Sequence, residues 1–144
     1  MEMIRAKETY QRAGAYYVRT EAMVKGFQIP LYVEFDEHDT PDTKYVVAVD
    51  GVLPVGTCRL YILDGETAKI ERVAVLENYR GQGVGSRVIL EAERWLKEMG
   101  IRKVIITSRD AAVEFYEKIG YTADWSKKEE GGAFTTVYTE KYLL

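Results

Sequence analysis

Lys69-Ile70-Glu71-Arg72-Val73-Ala74-Val75-Leu76-Glu77-Asn78-Tyr79-Arg80-Gly81-Gln82-Gly83-Val84-Gly85-Ser86 is the stretch on which the reading of this chain turns. Residues 69–75, rich in β-branched side chains, read as a strand. Three glycines at alternate positions, Gly81, Gly83 and Gly85, then lead directly into the clearest helix of the chain. Glycine lets a backbone approach a ligand closely, and the first turn of a helix has N–H groups without internal acceptors. With the helix dipole, this arrangement favours a bound anion such as a pyrophosphate. A Walker A loop would end in Gly-Lys-Ser/Thr, whereas this one ends Gly85-Ser86-Arg87. A dinucleotide fingerprint would need its third glycine where Ser86 stands, and a parallel strand before it.

Working outward, residues 86–99 place Val88, Ile89, Ala92, Trp95, Leu96 and Met99 on one helical face, with Arg87, Glu91, Arg94 and Glu98 opposite and Gly100 as a stop. Upstream, Asp50-Gly51 and Asp64-Gly65 separate runs 45–49, 55–62 and 69–75, which predicts a three-stranded antiparallel meander with positive φ angles at its turns. In the middle strand Val55, Thr57, Arg59 and Tyr61 share one side and Gly56, Cys58, Leu60 and Ile62 the other, with Cys58 a small core residue. Residues 10–25 read as a helix with an imperfect stripe of Tyr10, Ala13, Tyr17, Met23 and Val24, weakened by Gly14. Residues 26–44 read as a loop or short irregular helix. Downstream, 103–107 is a short strand, Asp110 caps a helix over 111–119 that Gly120 ends, and 121–125 and 135–142 form a closing hairpin with a long loop. No repeat, low-complexity tract or linker divides the chain, so residues 1–144 are expected to form a single domain.

Composition narrows the chemistry. The chain has 144 residues, 47% hydrophobic and 30% charged, with formal net charge −3. At this length a folded domain buries roughly 70% of its unfolded surface, enough for a core and a cleft without staples. One cysteine, Cys58, and one histidine, His38, leave no internal disulfide and no His/Cys zinc set. A pI near 5.3 without a basic run argues against a nonspecific nucleic-acid binder. No apolar stretch reaches the roughly 20 residues of a bilayer span, and residues 1–10 hold no signal-peptide run. The expectation is therefore a cytoplasmic protein with no metal, nucleic-acid or membrane partner.

Arg80-Gly81-Gln82-Gly83-Val84-Gly85 resembles the Gln/Arg-x-x-Gly-x-Gly/Ala loop of the GNAT superfamily of acyl-CoA-dependent N-acetyltransferases. The likeness runs upstream to Glu71-Arg72-Val73-Ala74-Val75 and downstream to Ala112 and Phe115-Tyr116-Glu117-Lys118-Ile119-Gly120-Tyr121, covering residues 69–121 closely. It implies a single α/β (α+β) domain: a twisted, mostly antiparallel mixed sheet with flanking helices and a splayed pair of central parallel strands, here 69–75, bulged, and 103–107. The resemblance further implies acetyl-CoA as cosubstrate and no metal. Its pantetheine arm would lie in the splay against main-chain groups of Val73, Ala74 and Val75, with Phe115 nearby. The pyrophosphate would rest on Arg80, Gly81, Gln82, Gly83, Val84, Gly85 and Ser86. Direct transfer to a primary amine follows, without an acyl-enzyme, the thioester oxygen being polarised by a bulge N–H assigned to Val73.

In the same resemblance Tyr116 holds the position of a phenol that protonates the leaving thiolate, and Glu71 can take the amine proton directly or through water. Each residue also has a structural reading: Tyr116 as a core aromatic, Glu71 as a solvated or salt-bridged glutamate, Arg80 as a surface ion pair. Where the family often carries Asn, this chain has Arg109, which reaches a phosphate or points to solvent. The acceptor, a small-molecule or peptide amine, is not chosen by the sequence. Glu34, Asp36, Glu37, Asp39 and Asp42 either attract a cationic amine or form a solvated acidic loop, with His38 among them. Trp125, Tyr32, Tyr121 and Tyr138 line a pocket or complete the core. The competing functional class is a non-catalytic acyl-CoA-binding or sensing module. Exposed terminal strands in a domain of this kind favour a homodimer.

Overall fold

The apolar runs and the turns between them fold, in the computed structural model of residues 1–144, into seven strands and four helices. In chain order these are β1 (Glu2–Arg5), α1 (Thr9–Arg19) with a π-helical extension over Thr20–Lys25, α2 (Leu31–Glu34), β2 (Lys44–Asp50), β3 (Leu53–Ile62) and β4 (Thr67–Val75). There follow α3 (Val84–Glu98), β5 (Lys103–Arg109), α4 (Val113–Lys118), β6 (Thr122–Glu129) and β7 (Thr136–Tyr142). One sheet holds all strands in the order β1-β2-β3-β4-β5-β7-β6, antiparallel except for the β4–β5 pair. This is the mixed sheet with a central parallel pair that the sequence implies. Because β4 and β5 are parallel, a crossover must join them, and α3 is that crossover.

Alternation along β3 divides the core as expected from Gly56 onward, but Val55, opposite the register shift at Ala48/Val49, joins the α3-side core with Cys58 and Leu60 rather than the face of Thr57 and Arg59. Cys58 and Leu60 pack with Val46, Ala48, Ile70, Val104 and Ile106 beneath Val88, Ile89, Ala92 and Leu96 of α3. Burial raises the Cys58 thiol pKa to about 12, so it is an inert core residue. On the opposite face Ala15 of α1 packs with Tyr45 and Val47, and Val18 and Ala22 pack with Ala74.

The α1 stripe read from sequence is corrected here. Tyr10 is 74% exposed and Tyr17 is 41% exposed, while Gly14, Ala15, Val18 and Arg19 are buried. Small residues are needed on that face because a Cβ on Gly14 would lie 3.1 Å from Pro54 Cγ. A search for large apolar residues therefore selects the wrong side. Three local expectations also shift. The turn at Asp64 does not use a positive φ at Gly65; instead Asp64 Oδ1 accepts the N–H groups of Glu66 and Thr67, both at 2.8 Å. Asp110 begins a 3₁₀ turn rather than capping α4, its Oδ1 accepting only from Ala111 N–H. In the final hairpin β6 continues through Glu129 by way of a bulge between Asp124 and Lys128, so the connecting loop is shorter than expected. The edge strand β1 was not anticipated.

Two irregularities of β4 position the site. Thr57 pairs with Ala74 but Arg59 pairs with Glu71, so Arg72 and Val73 together oppose Cys58 alone. This is a β-bulge, and Arg72 sits in the left-handed region at φ +52°. On the other edge, the register with β5 runs only through Thr67↔Lys103, Ala68↔Val104 and Lys69↔Ile105. Beyond Lys69 the two strands part and open a V.

Candidate active site

The N-terminus of α3 approaches the end of β4, where a Cβ on Gly85 would lie 3.8 Å from Val75 Cγ2. Gly81 (φ +75°) and Gly83 (φ +79°) both occupy the left-handed region with open space where a Cβ would be, and Gly83 is the residue before the first turn of α3. The amides of Gly81, Gln82, Gly83, Val84, Gly85 and Ser86 donate to no acceptor in the protein, and the first to do so is Arg87, to the Gly83 carbonyl at 3.1 Å. These free amides form a ready anion seat. Val84 is buried in the α3 core and Ala74 faces α1, so any ligand contact they make is through the main chain. Val73 and Val75 are partly buried against the core. A Cβ on Gly85 would meet Phe115 Cζ at 3.3 Å, so that glycine admits the Phe115 ring beside the loop. Arg80 forms no ion pair: its Nε donates to the Val75 carbonyl at 3.1 Å.

A cleft of about 600 Å³ follows the V from Val73 past Ile106 and Ser108 to Tyr116. Tyr116 is 7% exposed, its ring edge-on to both Phe115 and Tyr121. Its hydroxyl has no protein partner, yet the only buried side-chain polar atom without a partner is Arg59 Nε. The hydroxyl therefore opens into the cleft. Burial, reinforced by Cys58 and opposed by Arg109, raises its pKa above the ordinary value of 10, so the phenol is protonated at neutral pH.

The acidic segment is not a solvated lure for a cationic amine. Buried Arg19 pairs with Glu34 at 2.9 Å and Asp39 at 2.7 Å, and buried Arg59 with Asp36 at 2.8 Å and Asp39 at 2.9 Å. Arg72, on the bulge, donates to the Glu34 carbonyl at 3.0 Å and to Asp36 at 2.8 Å, tying β4 to α2. Burial works against the charge on Asp39, but hydrogen bonds from Arg19 and Tyr45 outweigh it and hold the carboxyl well below its ordinary range. Asp36 is lowered in the same way by Arg59. Only Glu37 and Asp42 of the five carboxylates remain exposed and unpaired.

Glu71, by contrast, is brought to the junction. Its Oε1 accepts from Arg59 at 3.2 Å and lies 2.8 Å from His38 Nδ1, leaving Oε2 without a partner in the protein. The His38 ring stacks on Tyr61 at 3.7 Å, so this histidine is fixed rather than a free loop residue. Glu71 lines both the Tyr116 cleft and a second cleft on the other side of the V.

Arg109 neither reaches the phosphate loop nor points to solvent. Its guanidinium lies 5.2 Å from the Phe27 ring centroid and 4.9 Å from that of Phe134, which pack edge-on to each other. This clasp joins the loop after α1 to the β6–β7 loop, and both Arg109 and Phe134 line the Tyr116 cleft. The four aromatics named from sequence separate: Tyr121 is core, donating to Glu93 at 2.7 Å, Tyr138 lines the second cleft, Trp125 lines a shallow groove elsewhere, and Tyr32 is 82% exposed. Phe27, Phe134, Arg19 and Arg59 were not singled out as site residues. The visible signal was Arg59 in the alternating strand β3, close in chain order to a carboxylate-rich segment.

Comparison with known proteins agrees with this geometry. The profile of the acetyltransferase (GNAT) family matches residues 6–121. An uncharacterized N-acetyltransferase of Bacillus subtilis is 36% identical over 121 residues, covering 84% of this chain and 85% of that protein. A crystal structure of a Lactobacillus plantarum protein described as an N-acetyltransferase superposes with a TM-score of 0.91 at 31% identity, covering 99% of this chain and 98% of that one. An aminoglycoside 6′-N-acetyltransferase complexed with coenzyme A shares the fold at a TM-score of 0.79 and 15% identity, covering 99% and 97%. With its bulged and splayed parallel strands and its glycine loop in place, this chain belongs to the GNAT acetyltransferase family.

Proposed function

We propose that the protein transfers an acetyl group from acetyl-CoA to a primary amine by direct attack within a ternary complex. The observation that carries the reading is one cleft lined by Tyr116 and the Glu71 carboxylate, with the unpartnered amides of residues 81–86 beside the end of β4, where a Cβ on Gly85 would lie 3.8 Å from Val75 Cγ2. Acetyl-CoA supplies the acyl group already activated as a thioester. The loop amides suit its pyrophosphate, and the unpaired edge of β4 beyond Lys69 offers Val73 and Val75 to the pantetheine amides. Arg80 holds the Val75 carbonyl, so contacts at that residue fall to the other main-chain groups.

The chemistry is divided between the two walls of the V. Glu71, held at Oε1 by Arg59 and His38, takes a proton from the amine at Oε2, directly or through one water. The amine nitrogen bonds to the thioester carbon while the N–H of Val73, presented by the bulge, stabilises the charge developing on the carbonyl oxygen. As the C–S bond breaks, the Tyr116 hydroxyl gives its proton to the departing sulfur. Solvent then returns the Glu71 proton to Tyr116, and the sum is amide plus free thiol.

The test is thiol release from acetyl-CoA across a panel of amines, for wild type and Tyr116→Phe. Acceleration by at least one amine, lost in the variant, is expected. If no amine accelerates release while CoA still raises the melting temperature, a non-catalytic acyl-CoA-binding module replaces this reading.

A further inference from the structure

The second cleft, of about 660 Å³, lies within the range of small-molecule sites and has few apolar walls. It opens on the sheet face away from α3. Ile70 and Ile106 point into the α3 core, so the alternate residues that line the cleft, Lys69, Glu71 and Thr107, face the other way. It shares Glu71, Arg72 and Thr107 with the Tyr116 cleft, so the two meet through the V. A molecule entering here reaches Glu71 from the side opposite the glycine loop.

Its charge is the informative feature. Arg72 is spent on Asp36 and the Glu34 carbonyl, and Glu71 is held by Arg59 and His38. What remains outside an ion pair is Lys69, Lys127 and Lys128, set against the carboxylate of Glu129 and, beside Lys127, that of Asp124. None of these three lysines takes part in an ion pair within the protein. Lys127 is held along the wall, its Nζ 4.4 Å from the Tyr138 ring centroid. An acidic chain of net charge −3 thus turns a cationic cleft toward the acceptor side, having quenched most of its nearby carboxylates with arginines. A polyamine would be repelled by such a wall, and a simple alkylamine would leave it unused.

We infer that the acceptor is a small amine carrying an anionic group, carboxylate or phosphate, seated by Lys69 and Lys127 while its amine meets Glu71. The inference rests on the acetyl-transfer reading and adds the substrate class. The lysines play no part in bond making; they orient the acceptor and set specificity.

Matched acceptors test it: O-phosphoethanolamine against ethanolamine, β-alanine against propylamine, and a diamine, each assayed by CoA release. The anionic member of each pair is expected to have kcat/KM at least about tenfold higher. Lys127→Gln, on the exposed strand β6, is expected to remove about a tenfold share of that advantage through KM, leaving the uncharged amines and the KM of acetyl-CoA unchanged; Lys69→Gln is the second variant. Preference for the diamine or the uncharged amines, or an equal loss for all acceptors, overturns the inference and leaves the acetyltransferase reading standing. If no acceptor is turned over, calorimetric titration of O-phosphoethanolamine onto the CoA-bound protein separates the two. Binding that is weakened by Lys127→Gln retains the anion seat without the chemistry, and absence of binding overturns both.

Discussion

The two sides of the V are built by different means. The donor side, at residues 81–86, is made of backbone: left-handed glycines and amides without acceptors, placed by one local turn at a helix start. The acceptor side is made of side chains drawn from α1, the α2 region, β3, β4 and the β6–β7 hairpin, and its order depends on buried arginines. A backbone site survives most side-chain changes and fails at a glycine. A side-chain site fails wherever one member of its ion-pair network is removed.

That contrast is open to experiment, beginning at the junction. Tyr116→Phe removes the cleft-facing hydroxyl while keeping the buried ring, and is expected to lower kcat on the order of 10²- to 10⁴-fold with little change in Tm or in the KM of acetyl-CoA. A matching fall in Tm would make Tyr116 a packing residue. On the acceptor side, Arg19→Met leaves the buried Glu34 carboxylate with only Arg72 at 3.7 Å and Asp39 with only Arg59 as cationic partners, and is expected to cost about 3–5 kcal/mol in denaturant unfolding. A loss below about 1 kcal/mol would show that the network is dispensable. On the donor side, Gly83→Glu combines a left-handed strain of about 1–2 kcal/mol with like charge at the anion seat. CoA affinity is expected to drop by one to two orders of magnitude, measured by calorimetry, while acceptor-side stability is untouched.

Acid should act on one side only. Asp36 and Asp39 have folded-state pKa values below the ordinary 3.8, so their contribution to stability is complete above about pH 4–5 and is lost as pH falls through the lowered values. Tm is expected to be level between pH 5 and 7 and to decline below about 4, less steeply in Asp39→Asn. The smallest effect is expected at Gly85→Ala, where a new Cβ sits 3.3 Å from Phe115 Cζ and the ring must shift by a few tenths of an ångström. A loss of about 1 kcal/mol with a modest rise in the KM of acetyl-CoA would place Phe115 beside the bound donor.

The same contrast explains what sequence could reveal. Gly81, Gly83 and Gly85 stand out by type and spacing: the first two adopt the left-handed conformation that favours glycine, and the third leaves room for the Phe115 ring. The meander and α3 were legible because their periods are short-range and strong. The α1 stripe was misread because burial there selects small residues and an arginine, Gly14, Ala15, Val18 and Arg19, against a sheet whose proximity sequence does not state. Glu34, Asp36 and Asp39 looked like part of a free charge cluster with Glu37 and Asp42 because their partners lie 15 to 38 residues away, in Arg19, Arg59 and Arg72. His38 and Glu71, 33 residues apart, are neighbours only once β4 lies against the segment following α2. The Arg109 clasp likewise needs Phe27 and Phe134, which approach from opposite ends of the chain.

A crystal structure with CoA and an anionic amine bound tests the central claim most directly. The account predicts pyrophosphate oxygens within hydrogen-bonding distance of the 81–86 amides, the sulfur facing the Tyr116 hydroxyl, and the amine nitrogen next to Glu71 on the far side of the V. Pyrophosphate bound away from that loop, or an amine on the same side of the sheet as CoA, would contradict it.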